Sequence, residues 1–140
     1  MSEKFKIMTS FIKDMSSETP SIETYFFVKE KIQKYHLDIS INSNAIKNHL
    51  IEIDTSLKFE DKEESEKKSN FEIVYTTIIK IDDNVKDKKE LQKIILCDAQ
   101  IKIYPKIEKA LLSIIHNSGF ENIQFKKKID FETLFKEKFI

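Results

Sequence analysis

Residues 103–117, IYPKIEKALLSIIHN, are the longest run with clean helical periodicity, and the chain's only glycine, Gly119, follows closely. Tyr104, Ile107, Leu111, Ile114 and Ile115 recur at three- and four-residue spacing beside Ala110, whereas Lys106, Glu108, Lys109 and Ser113 fall mostly on the other side. That spacing makes an amphipathic helix with its apolar face turned to a core. Pro105 suits a first turn, where no backbone donor is needed, and Gly119 stands where a left-handed residue ends a helix. The apolar face is wider than one small sheet requires.

Most of the chain before this helix reads as strand. Phe5, Ile7, Thr9 and Phe11 alternate with polar neighbours, the period of a half-buried strand over 5–11. Segment 12–20 loses the alternation and ends at Pro20, which disfavours helix before it and suits the exit of an edge strand. Segment 21–34 carries Tyr25, Phe26, Phe27 and Val28, too much aromatic surface for a solvated loop. Leu37, Ile39 and Ile41 alternate with polar residues, and His49, Ile51, Ile53, Thr55, Leu57 and Phe59 do so again. The break at 43–45 reads as a bulge, a bend or a gap between two strands.

The run EDKEESEKKSN at 60–70 has no apolar residue and is a solvated connection. A further strand covers 71–82, where Val74 and Ile78 make the second face apolar as well. Segment 91–102 has no decisive period and is open between a strand, a buried turn and a lead into the helix. Residues 120–125 look extended. A last helix over 130–139 opens at Asp130 as cap and sets Phe131, Leu134, Phe135 and Phe139 at helical spacing. Strands followed by two helices imply an α+β fold, a single domain over 1–140, with helices on one face of an antiparallel sheet.

Composition removes several function classes. The 24 basic and 24 acidic residues cancel, so no global field favours nucleic acid or an anionic membrane. Cys97 is alone, which excludes an internal disulfide or a cysteine-rich zinc site. His36, His49 and His116 are isolated, no glycine-rich phosphate loop exists, and no catalytic constellation emerges; neither a cofactor nor an enzyme is expected. MSEKFKIMTS lacks the apolar core of an export signal, and no apolar run approaches the roughly 20 residues of a membrane span. A soluble, cytoplasmic protein without membrane insertion is expected. Lys126–Lys128, between Phe125 and Phe131, offer a small basic footprint for nucleic acid. The apolar surplus points instead to oligomerisation or to the binding of extended apolar polypeptide, or else to one monomeric core.

The motifs carry a resemblance. IKDMSSETP at 12–20, CDAQIKIYPKIEKALLSIIHNSGF at 97–120 and DFETLF at 130–135 occur in the order found in the protein-export chaperone family SecB, which the chain resembles over nearly its whole length. The resemblance implies a four-stranded antiparallel sheet with two helices, assembled as a dimer of dimers through the long helices. It further implies an ATP-independent holdase that binds unfolded preproteins and hands them to the SecA motor. Carried over by position, client contacts fall on Tyr35, Leu37 and Ile39 in a strand, Phe26 in the crossover, and Phe135 and Phe139 on a lid helix. SecA contacts fall on Asp14 and Glu18, with Glu72 replacing an acidic position that maps near the non-acidic Val74. For the homotetramer, Ile107, Leu111, Leu112 and Ile115 are expected at the helix interface. The chain departs from the family in being neutral, in lacking its polar tail after Ile140, and in setting Gly119 one position late. These departures leave room for a SecB-like chaperone serving a toxin–antitoxin pair or a phage.

Overall fold

Period-two alternation makes the strands, and the computed structural model, which describes residues 4–63, 65–125 and 128–139, assembles them into one antiparallel sheet. The strands are β1 (Phe5–Glu18), β2 (His36–Ala45), β3 (Leu50–Glu60) and β4 (Asn70–Ile81), in the order β1-β4-β3-β2. Between β1 and β2 runs a helix, α1 (Ile22–Lys31), closed by a 3-10 turn, Ile32–Lys34. After β4 come α2 (Lys88–Lys93), a π-helical turn (Ile94–Asp98), α3 (Ala99–Asn117) and α4 (Phe131–Phe139).

The inner face of the sheet follows from register. Ile51, Ile53, Leu57 and Phe59 on β3 pair with Ile79, Thr77, Ile73 and Phe71 on β4, and all eight are buried. On α3, Ile107, Leu111 and Ile115 are 0% exposed within the same core. Burying each such side chain contributes about 1.5–3 kcal/mol, so this layer dominates stability.

Several expectations are corrected. The first strand does not stop at Phe11 but runs to Glu18, with irregularities between Ile7 and Thr9 and between Ile12 and Asp14. Each extra residue shifts the side-chain phase, so a continuous strand reads as one that has lost its alternation. The break near 43–45 is still paired strand: Ala45 sits opposite Ile51, and the chain reverses at Asn48 and His49, with φ of 51° and 65°. The Leu50 N–H closes this turn on the Lys47 carbonyl at 2.9 Å. Asparagine tolerates the left-handed region, so the hairpin needs no glycine.

More than two helices cover the sheet. Ser21 caps α1 by accepting from the Thr24 N–H, but the helix buries only Thr24 and Val28 and leaves Ile22 and Phe26 bare, which blurs its period. Segment 91–102 is the lead into the helix, and Pro105 consequently lies inside α3 rather than in its first turn. Proline there removes the donor for the Ile101 carbonyl; Ile101 is exposed, so water can take that donor's place. Segment 120–125 runs without strand pairing.

Candidate functional site

Among the described residues the sheet has no strand beyond β2, and between that edge and the C-terminal segment lies a groove of about 730 Å³. Its strand wall carries Leu37 and Ile39, both half-buried. Its far wall carries Ile123, Phe125 and Ile129 from the segment after α3, and Leu134 from α4. A second hollow of about 320 Å³ shares Ile39 and Leu134 and adds Ile41 and Leu96, so the two form one trough along β2.

The aromatic end is held by rings. Phe59 packs on Tyr35 at 5.5 Å and edge-on to Phe125 at 5.3 Å between centroids. Such pairs add about 0.5–1.5 kcal/mol each beyond area burial. The Tyr35 hydroxyl accepts from the Ser69 N–H at 3.1 Å, and burial pushes its pKa above the ordinary phenol value. Tyr35 is therefore a fixed, neutral wall. Charged side chains share the lining: Lys34, Lys128, Asp130 and Glu137 border the groove, and Asp38 pairs with Lys62 at 2.6 Å.

α4 begins at a side-chain cap. Asp130 accepts from the Thr133 N–H at 3.2 Å and from the Thr133 hydroxyl at 2.8 Å, which together hold its carboxyl below the usual carboxylate range. Phe131 and Phe135, one turn apart, face inward, and Phe131 meets Tyr104 edge-on at 5.3 Å. Leu134, 37% exposed, faces the trough.

Of the sequence-derived client positions, Tyr35, Leu37 and Ile39 line the groove. Phe135 does not: it is 8% exposed and belongs to the core, because one residue is 100° of helix and Leu134 takes the outer direction. Phe26, 58% exposed on α1, lies outside the groove lining and joins it only through a chain of rings, Tyr25, Phe120, Phe71 and Phe59. The side chain of Phe139 lies outside the described residues, as do Lys126 and Lys127 of the basic footprint; Lys128 lines the groove. Phe125, Ile129, Leu134 and Ile41 were missed. Ile41 was legible in the alternation of β2, one step beyond the positions carried over, whereas Phe125 and Ile129 stand in a segment without regular period and Leu134 lies beside the two buried phenylalanines of α4.

On the opposite face of the sheet, Asp14 pairs with Val74, Ser16 with Glu72 and Glu18 with Asn70. Asp14, Glu18 and Glu72 therefore share one face and one corner. Nearby Lys13, at the β1 irregularity, reaches Asp54 Oδ2 at 3.3 Å and Glu52 Oε2 at 3.6 Å. Burial opposes ionisation of Asp54, but hydrogen bonds from Thr76 and Lys13 outweigh it and keep the carboxyl below its usual range.

The expected helix interface also needs correction. Ile107, Leu111 and Ile115 are consumed by the protomer's own sheet and offer no outer surface. Leu112 is half-buried and keeps an outer edge, and exposed Ile101 lies farther along the same helix. Among the described residues no cluster of acidic, histidine or cysteine side chains has the grouping to hold a metal ion, and no helix is long and apolar enough to cross a membrane.

A four-stranded antiparallel sheet backed by helices, with α4 forming part of the wall of an open surface trough, is an α+β fold with a long channel along one edge strand. The family model of the preprotein translocase subunit SecB matches residues 1–139. The chain is 54% identical, over 99% of its length and 99% of the relative's, to a putative protein-export protein SecB of Pelagibacter ubique. It is 22% identical to the protein-export protein SecB of Bartonella quintana, covering 96% of this chain and 83% of that one. Among solved structures, a SecB-like chaperone of Mycobacterium tuberculosis, in complex with a ChAD peptide from an antitoxin, matches with a TM-score of 0.61 at 8% identity. That match covers 89% of this chain and 91% of the other and shows a shared fold. The chain belongs to the SecB family of protein-export chaperones.

Proposed function

We propose that the protein is an ATP-independent holdase of the cytoplasm, which keeps preproteins unfolded in the trough along β2 and delivers them to the SecA motor. The observation that carries this reading is the trough itself: apolar walls lie beside a strand edge with unpaired backbone groups. Such a site holds extended chain through main-chain hydrogen bonds and apolar contact, with little demand on sequence. The peptide carried by the Mycobacterium tuberculosis relative supports it, because the shared fold there accommodates a peptide.

The working unit is a homotetramer. Leu112 and Ile101 on α3, and the exposed Met8, Phe11, Ile12 and Met15 on the other edge strand, β1, are the apolar surface we assign to contacts with other copies. SecA docks on the acidic corner formed by Asp14, Glu18 and Glu72, where a basic partner segment finds three carboxylates on one face.

The test is mass and holding activity together. A tetramer by light scattering that retards folding of a purified precursor is expected; a monomer that leaves the folding rate unchanged would sink the proposal. Glu18→Lys with Glu72→Lys should abolish SecA binding and leave precursor retention intact. A second reading, a chaperone dedicated to an antitoxin, is favoured by the antitoxin peptide in the structural relative. Binding of a zinc-loaded SecA tail peptide by this protein would decide against it.

A further inference from the structure

The lead into α3 winds as a π turn, Ile94–Asp98, closed by the Ala99 N–H on the Ile94 carbonyl. Such turns have poorer hydrogen-bond geometry than an α-helix and collect at functional sites. Here four successive side chains, Ile94 to Cys97, are buried, which an ordinary amphipathic helix with one apolar stripe does not provide. Leu96 is the one that lines the trough. It lines the smaller hollow with Ile39 and Ile41 on β2 and Leu134 on α4 as the other aliphatic walls, and Ser40 and Asn42 complete the lining.

We propose that the π turn makes Leu96 a specificity-determining residue: it is the floor of a socket that takes one aliphatic side chain of an extended client segment, and its bulk sets the size accepted. This deepens the holdase reading and rests on it. The position of the socket also imposes a spacing. Leu37 and Ile41 lie four residues apart on β2, about 14 Å at the rise of an antiparallel strand. Leu37 stands at the aromatic end with Phe59 and Phe125, Ile41 at the socket. A client lying extended alongside therefore fills both ends with apolar residues four apart, on the same side of its strand. At a spacing of three, one of them turns to solvent.

The test uses the full-length protein and fluorescent polar peptides of equal composition, carrying one Phe and one Leu spaced four or three apart. Anisotropy titration should give about tenfold tighter binding at spacing four. Leu96→Ala should shift the preference at the socket from Leu towards Phe, and Leu96→Phe should shift it towards Ala. Ile41→Ala, on the exposed edge strand where folding is least at risk, should repeat the first shift; circular dichroism checks that each variant folds. Equal affinity at both spacings, or variants that weaken all peptides alike, would overturn the socket while precursor holding by the wild type left the holdase reading standing. A wild type that binds none of the peptides and fails to delay precursor folding would overturn both.

Discussion

Gly119 satisfies two demands at once. Its φ is +99°, and a Cβ there would come within 2.7 Å of Tyr25 Cε1, while its carbonyl accepts from the Tyr25 hydroxyl at 2.7 Å. Substitution to alanine must both strain the backbone and displace a ring that packs on Phe120. Gly119→Ala is expected to cost about 1–3 kcal/mol in urea unfolding, and Tyr25→Phe, which removes only the hydrogen bond, about 1 kcal/mol. Adjacent positions on α4 make a sharper pair. Phe135→Ala should destabilise the fold by about 3–5 kcal/mol. Leu134→Ala should leave the melting temperature nearly unchanged and weaken peptide binding in the trough. If the two variants behave alike, the assigned directions of the two side chains are wrong.

Among the elements, α4 responds to acid. The Thr133 groups lower the Asp130 pKa in the native state, so the cap's contribution is complete above the ordinary aspartate pKa of about 4 and is lost as pH falls through the depressed native value. The protection factors of α4 amides, corrected for the intrinsic exchange rate at each pH, should fall over that acid window, and Asp130→Ala should show low protection already at neutral pH with no further step. The two elements that resisted sequence reading did so for definable reasons. In α1 the exposed Ile22 and Phe26 lie away from the buried Thr24 and Val28, so apolar residues ring the helix and no single face stands out. In β1 the bulges throw Lys13 onto Asp54 and Glu52, two strands away, and a phase change inside a strand looks like its end.

For the whole molecule, the core takes most of the apolar stripe of α3, and the proposed assembly surface is what it leaves. Leu112→Glu is expected to lower the mass seen by light scattering from tetramer to dimer with unchanged circular dichroism. Leu111→Glu places a charge where exposure is 0% and should abolish folding altogether. An unchanged mass for Leu112→Glu would move the assembly surface elsewhere on the protomer.

Periodicity and punctuation alone determined the α+β class, the inner faces of β3 and β4, the long helix with its glycine stop and the capped last helix. These are local consequences of side-chain spacing, because a face turned to a core must be apolar wherever that core lies. One wall of the groove, Tyr35, Leu37 and Ile39, was expected from the family resemblance, and strand alternation separately set Leu37, Ile39 and Ile41 on one face. The other wall came only from tertiary structure. Leu134 instead of Phe135, Phe125 from a segment without period, and Leu96 from a π turn depend on how α4 and its lead-in settle against a free strand edge. The same holds for α3: one apolar stripe serves core and outer surface alike, and only packing against the sheet separates Ile107, Leu111 and Ile115 from Leu112.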